Sequence, residues 1–469
     1  DEVWIGERNG HIYARFSVDA ASERVQGGVA NHGTVVADQF YAGVGDYFAL
    51  AVFDTSQVRA RIAQVRGGTG TTTSVAGVID VSNQTPGGVG GSVTVTGERV
   101  ALRDATIDAS GHAGGGDVRI GGDYQGRGDI PNAERTYLSS GTTINADATV
   151  RGDGGRVIVW SDVFTNYNAS ISARGGAQGG DGGFAEVSGK ETLAFHGTAN
   201  LSATDGAAGT LLLDPKDIVI DNAGSDPVLA NNEFGEDPTG TVTMDPADLE
   251  TILDAGTALV LQANNDITVN DPIDSTNPGP GVSGDLTMQA GRSVVLNANI
   301  TLEDASLSIT ANETLANGVV DAQRDPGAAV ISMADGVAID VGTGNVAMTL
   351  STGSGLTNFA SGNITVEDIT TTGNVTIANN GPTAGSSILV EATGPDSLIT
   401  AANLALSAQG AGGGGAVGAS GMPIAFTATN VEAAADSGGI FLDTTSTVNI
   451  GGASGSLTGL ATTNAGAIE

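Results

Sequence analysis

The sequence predicts an all-β fold, a parallel β-solenoid (β-helix) with one extra-coil insertion and one short helix. Three observations predict it. Apolar residues recur at period two over short stretches, a Gly-Gly pair precedes one strand of nearly every unit, and the unit repeats every 25 to 28 residues. A helical repeat of that size would need runs of about ten or more residues at a period of about 3.6. None occurs between Gly70 and Lys216.

The amino-terminal segment, 1–76, is rich in aromatic residues. Trp4, Tyr13, Phe16, Phe40, Tyr41, Tyr47, Phe48 and Phe53 are eight of the nineteen in the chain. The end of a solenoid exposes strand edges that invite pairing, so this segment reads as a cap or an end-to-end docking surface carried by Trp4, Tyr13 and Phe16. Ordinary core in less regular coils is the other reading.

Residues 77–220 carry the regular coils. Each opens on a short strand of the form apolar-x-small: Ile79-Asp80-Val81, Ile107-Asp108-Ala109, Ile144-Asn145-Ala146, Ile171-Ser172-Ala173 and Leu201-Ser202-Ala203. A polar, glycine-rich stretch then leads to a second strand, GGSVTV, GGDVRI, GGRVIV, GGFAEV or AGTLLL. The first inward residue of that strand is Val93, Val118, Val157, Ala185 and Leu211 in turn, at spacings of 25, 39, 28 and 26. The long interval holds an insertion, Asp123 to Gly141, expected to protrude from the stack. Alternation places Arg119, Phe184 and Glu186 on the outer face and, with Asp181, gives solvent the charges that a core would reject.

Residues 221–469 continue the same grammar less regularly, as in Asp266-Ile-Thr-Val, Gly284-Asp-Leu-Thr-Met, Ser306-Leu-Ser-Ile, Gly373-Asn-Val-Thr-Ile, Gly438-Gly-Ile-Phe-Leu and Ser446-Thr-Val-Asn-Ile. One short helix near 246–254 interrupts them. Asp245 caps it, Pro246 takes its first position, Asp248 lies in its first turn, Leu249, Ile252 and Leu253 share a face, and Gly256 stops it.

Composition narrows the function. The chain has 469 residues, 72 of them glycine and 40% apolar, too apolar for a disordered linker. It has no cysteine, so packing and backbone hydrogen bonds must hold it. The net charge of −35 is uneven: 16 basic against 24 acidic residues up to Lys216 give −8, and Arg292 and Arg324 against 29 acids beyond it give −27. Such a surface repels nucleic acid and anionic membranes, and no apolar run suits membrane insertion. The opening DEVWIGERNG lacks the pattern of a signal peptide, so the numbered chain is expected to begin after any export signal or to be part of something longer.

The stretches INADATVRGDGGRVIVWSD and SISARGGAQGGDGGFAEVSGKETLAFHGTANLSATDGAAGTLLLDPKDIVI resemble the large filamentous-haemagglutinin-like exoproteins of two-partner secretion in Gram-negative bacteria. GGDVRIGGDYQGRGDIPNA, DLETILDAGTALVLQANNDITVNDPI and AVGASGMPIAFTATNVEAAADSGGIFLDTTSTVNIGG add to the resemblance, which runs from about Gly77 to the end. It implies a right-handed parallel β-helix, export through an outer-membrane transporter partner, and adhesion, aggregation or matrix building at the cell surface. The NxxG-type secretion domain of such proteins has no clear match here.

No residue reads as catalytic, cofactor-binding or metal-binding. A phosphate loop needs a helix after its glycines, and these lead into strands. Calcium β-rolls need a register that GGDGGFAEV and GGDVRIGGD break, although aspartates scattered at turns could still gather a calcium ion. Arg127-Gly128-Asp129 in the insertion is the better placed of two RGD tripeptides for receptor binding, Arg151-Gly152-Asp153 being the other; chance also accounts for both in a glycine- and aspartate-rich chain. Seven N-x-S/T triplets could accept glycans, and asparagine and threonine also simply suit β-helix turns. The expected function is that of a secreted adhesive or structural β-solenoid, the shaft of an adhesin or a filament subunit assembled head to tail. Its partners would be a host or neighbouring-cell surface or a matrix polysaccharide. The alternative is a β-helical polysaccharide-cleaving enzyme.

Overall fold

The computed structural model describes residues 2–8, 11–17, 34–43, 51–68, 70, 72–222, 234, 242–276, 283–391 and 397–469, with backbone alone over 2–17, 43 and 51–56. The fold is all-β, built of parallel sheets as in an all-β parallel solenoid, with one α-helix among the described residues. It divides into two compact units, one of residues 1–215, 225–242 and 255–258, the other of residues 216–224, 243–254 and 259–469.

In the first unit each coil contributes three strands to three stacks. One stack runs through Ile62–Arg66, Ser92–Thr96, Asp117–Ile120, Arg156–Ser161, Phe184–Gly189 and Thr210–Leu213. Val93, Val118, Val157, Ala185 and Leu211 lie residue on residue in it and are buried, so the register read from the Gly-Gly repeat holds. The second stack holds Arg99–Leu102, Arg135–Leu138, Phe164–Tyr167 and Thr192–Phe195. The third holds Thr106–Asp108, Thr143–Asn145, Ser170–Ser172 and Thr198–Asn200, and the long strand Thr72–Asp80 pairs into both. Buried Thr73, Thr136 and Thr165 donate their hydroxyls to the carbonyls of Thr96, Trp160 and Ser188 at 2.8, 2.8 and 2.7 Å, which satisfies polar groups inside the core.

The paired glycines are required by distance. A Cβ on Gly116, Gly155, Gly183 or Gly209 would stand 2.1 to 2.2 Å from the carbonyl oxygen of the glycine one coil below. Their N–H groups reach back to Ala109, Ala146, Ala173 and Leu201 at 2.7 to 2.8 Å, closing each polar loop onto the strand it left. Asp80, Asp108, Asn145 and Asn200, the last residues of their strands, each accept the N–H two residues on at 3.0 to 3.1 Å. This Asx turn explains the preference for Asp and Asn there.

Three expectations change. In the fifth coil Ile171 pairs with Ala199, not with Leu201. A slip of two leaves every side chain on its own face, so alternation cannot detect it. Second, Arg135–Leu138 is a regular strand, which confines the extra residues to 121–134 instead of Asp123 to Gly141. Inward Thr136 hides that strand from a search for apolar alternation. Third, Glu186 is buried, although Asp181 is exposed as expected. At the amino terminus Glu2–Arg8 and His11–Ser17 form an antiparallel hairpin whose second strand pairs in parallel with Gln39–Gly43. Trp4, Tyr13 and Phe16 have their backbone in this hairpin, and their side chains lie outside the described residues.

The second unit repeats the plan. Leu286–Ala290, Leu307–Ala311, Val346–Leu350, Asn374–Asn379 and the later parts of Leu398–Ala408 and Ile424–Ala435 form one parallel stack. Ile218–Ile220, Ile267–Val269, Val294–Leu296, Ala329–Met333, Ser361–Val366 and Ile388–Val390 form another, and Ile273–Ser275, Ile300–Leu302, Ala338–Asp340 and Asp368–Thr370 begin a third. All six segments expected to be coils contain strands. The helix Pro246–Asp254 buries Pro246, Leu249, Ile252 and Leu253. Asp245 caps it by accepting the Ala247 N–H at 2.9 Å, and Gly256 ends it at φ +74°.

Candidate functional site

The first unit carries a groove and, beside it, an arch. The groove runs along the stack where the polar loops meet the first sheet, with a volume of about 880 Å³. Its floor is the run of pairs Gly90-Gly91, Gly115-Gly116, Gly154-Gly155, Gly182-Gly183 and Ala208-Gly209. One wall is the row Ser92, Asp117, Arg156, Phe184 and Thr210, placed in register by the parallel pairing. Asp181 and Ala207 stand on the loop side. Asp181 accepts the Ala207 N–H at 2.8 Å, and Asp153 accepts the Asp181 N–H at 2.8 Å, so these aspartates tie one loop to the next. No three acidic or histidine side chains converge on a metal position among the described residues.

The arch is the segment 121–134, which folds down onto the outer face instead of standing clear of it. Its turn Tyr124–Gly126 lies over a patch in which Ile158, Trp160 and Glu186 are buried. A Cβ on Gly126, at φ +62°, would come within 2.6 Å of the Trp160 indole, so only glycine lets the turn settle there. Four charges pin it: Arg119 reaches Asp117 at 2.7 Å and Asp123 at 3.1 Å, and Arg156 reaches Asp123 at 3.3 Å and Asp117 at 3.7 Å. The Tyr124 ring meets Phe184 edge-on at 5.7 Å and takes the Arg156 guanidinium over its face at 5.8 Å.

Under the arch the Gln125 N–H donates to both carboxylate oxygens of Glu186 at 3.1 Å. Burial pushes the Glu186 carboxyl up to about 8; the Gln125 N–H opposes the shift and the neighbouring Asp214 adds to it. Burial likewise pushes Asp214 up to about 7. The arrangement can hold a proton on a carboxyl at neutral pH.

Arg127, Gly128 and Asp129 lie on the arch with all three residues exposed, and the Arg127 N–H donates to the Tyr124 carbonyl at 3.0 Å. Arg151-Gly152-Asp153 sits in a loop whose Gly152 adopts φ +89°. Of the glycosylation triplets, Asn312 is buried, its amide donating to the carbonyls of Ser351 and Phe359 at 3.1 Å. Sequence reasoning missed Tyr124, Arg156 and Glu186. The signal was the stretch VIVWS, whose unbroken apolar run marks a strand covered on both faces. No family of known proteins matches the chain, and no curated protein does.

Proposed function

We propose that the chain is a secreted, cell-surface structural and adhesive protein, a right-handed parallel β-helix serving as the shaft of an adhesin or as a subunit of an extracellular filament. The observation that carries this reading is the in-register stacking of coil on coil in both units, with glycine carbonyls, Asx turns and outward polar rows repeated at each step. Such a stack gives length and stiffness from local contacts alone and offers many equivalent weak contacts on its faces. The resemblance to haemagglutinin-like exoproteins supports export and adhesion. Electron microscopy of the purified chain should show regular unbranched fibres for a filament subunit and separate particles for a shaft. Cells displaying the chain should gain adherence or aggregation; no gain in either would sink the reading.

A second reading, a β-helical enzyme that cleaves polysaccharide, draws on the two buried carboxyls of raised pKa at the arch, Glu186 and Asp214. Release of reducing or unsaturated ends from polysaccharide, lost in Glu186→Gln, would favour it.

A further inference from the structure

We infer that the glycine-floored groove of the first unit binds a linear, uncharged polysaccharide laid along the stack; the inference deepens the adhesive reading and rests on it. The floor has no side chain over four coils and only the Ala208 methyl in the fifth, which allows close approach along its length. The N–H groups of its glycines are already paired. The N–H groups of Gly90, Gly115, Gly154 and Gly182 donate to neighbouring loop carbonyls at 2.9 to 3.0 Å, and the carbonyls of Gly91, Gly116, Gly155 and Gly183 accept from the next coil at 2.9 to 3.1 Å. A peptide adding as a strand would find no free glycine N–H to pair with. A sugar chain asks for something else: flat C–H surface for its ring faces and side chains for its hydroxyls.

The wall supplies those side chains once per coil. Coils stack about 4.8 Å apart, close to the advance of one pyranose ring in an extended chain, so Ser92, Asp117, Arg156, Phe184 and Thr210 would meet successive sugars, Asp117 and Arg156 while still ion-paired to Arg119 and Asp123. Phe184 adds one apolar ring face. Charge decides between classes of polysaccharide. Arg61 and Arg156 in the groove are offset by Asp117 and Asp181, and the stretch up to Lys216 carries a net −8. A polyuronate would be repelled and an uncharged chain would not.

Titration calorimetry of the full chain with cellohexaose, mannohexaose and laminarihexaose tests this, with hexagalacturonate and an extended decapeptide as competitors. At least one neutral hexasaccharide should bind at one site per chain. Ala208→Trp and Thr210→Trp, which fill the groove from its floor and its wall, should each weaken binding by roughly tenfold or more, while Ala177→Ser, exposed outside the groove, leaves it unchanged. Thermal melting identifies which tryptophan variant keeps its fold. The inference is overturned if no neutral hexasaccharide binds, if a folded tryptophan variant binds as well as the parent chain, or if hexagalacturonate or the peptide displaces the sugar. Fibre formation and cell adherence are scored separately, so failure here leaves the adhesive reading standing.

Discussion

A methyl group added at Gly155 would sit 2.2 Å from the carbonyl oxygen of Gly116 and 2.8 Å from its nitrogen, both backbone atoms that cannot swing aside. Gly155→Ala should therefore cost about 3 kcal/mol in chemical unfolding, the upper range for overpacking. Gly455→Ala, at a glycine with nothing within 4 Å, should be close to neutral, and equal losses in both would refute the steric account. Glu186 makes a different prediction. Its carboxyl rises from 4.5 to about 8 in the folded chain, chiefly through burial. Between those pH values the folded chain keeps a proton that the unfolded chain has released, so stability falls as pH rises through the window. The loss should reach a few kcal/mol, and Glu186→Gln should flatten the profile. Unfolding curves at pH 5 and pH 9 for both chains check it. Equal pH dependence would show that Glu186 titrates normally.

The elements of the fold were legible where a repeat has to satisfy the backbone. Val93, Val118, Val157, Ala185 and Leu211 could be aligned because each follows a Gly-Gly or, before Leu211, an Ala-Gly pair whose second glycine the neighbouring coil's carbonyl leaves no room to replace. The helix was legible because Asp245, Pro246 and Gly256 are local signals. The arch was not, because residues 121–134 answer to the outer face of other coils, and its signs are Ile158, Trp160 and Leu212, apolar and buried where the alternation asks for polar residues. A second ladder was also missed. Asn345, Asn374, Asn403, Asn430 and Asn449 each precede an apolar strand residue in the second unit, and their side-chain amides bond one to the next at 2.6 to 3.2 Å. Asn403, in the middle, both donates and accepts. Asn403→Ala should cost about 1 kcal/mol, and Asn449→Ala, with one ladder bond, about half as much. Hydrogen exchange across 374–379 and 424–435 reads the difference, and equal protection in the two variants would mean that the ladder contributes nothing.

At the scale of the whole chain, charge opposes the stack. Residues 217–469 hold 29 acids and only Arg292 and Arg324. Those two cations serve one place. Arg292 pairs with Asp266 and donates to the Pro326 carbonyl at 3.0 Å, while buried Arg324 donates to Gly291, Asp325 and Asn312 at 2.8 to 3.2 Å, holding the excursion 312–328 against its coils. The remaining acids repel one another, and that repulsion is long-ranged only when salt is low. The screening length falls from about 30 Å at 0.01 M to about 8 Å at 0.15 M. Hydrogen-exchange protection in 259–469 should therefore rise between those salt concentrations. In 72–215, where nine basic residues stand against sixteen acids and the arch is held by ion pairs, it should rise less or fall. Equal responses in the two stretches would mean that the acids are already neutralised in the fold, and the uneven charge would then have to be explained by a partner that carries the opposite sign.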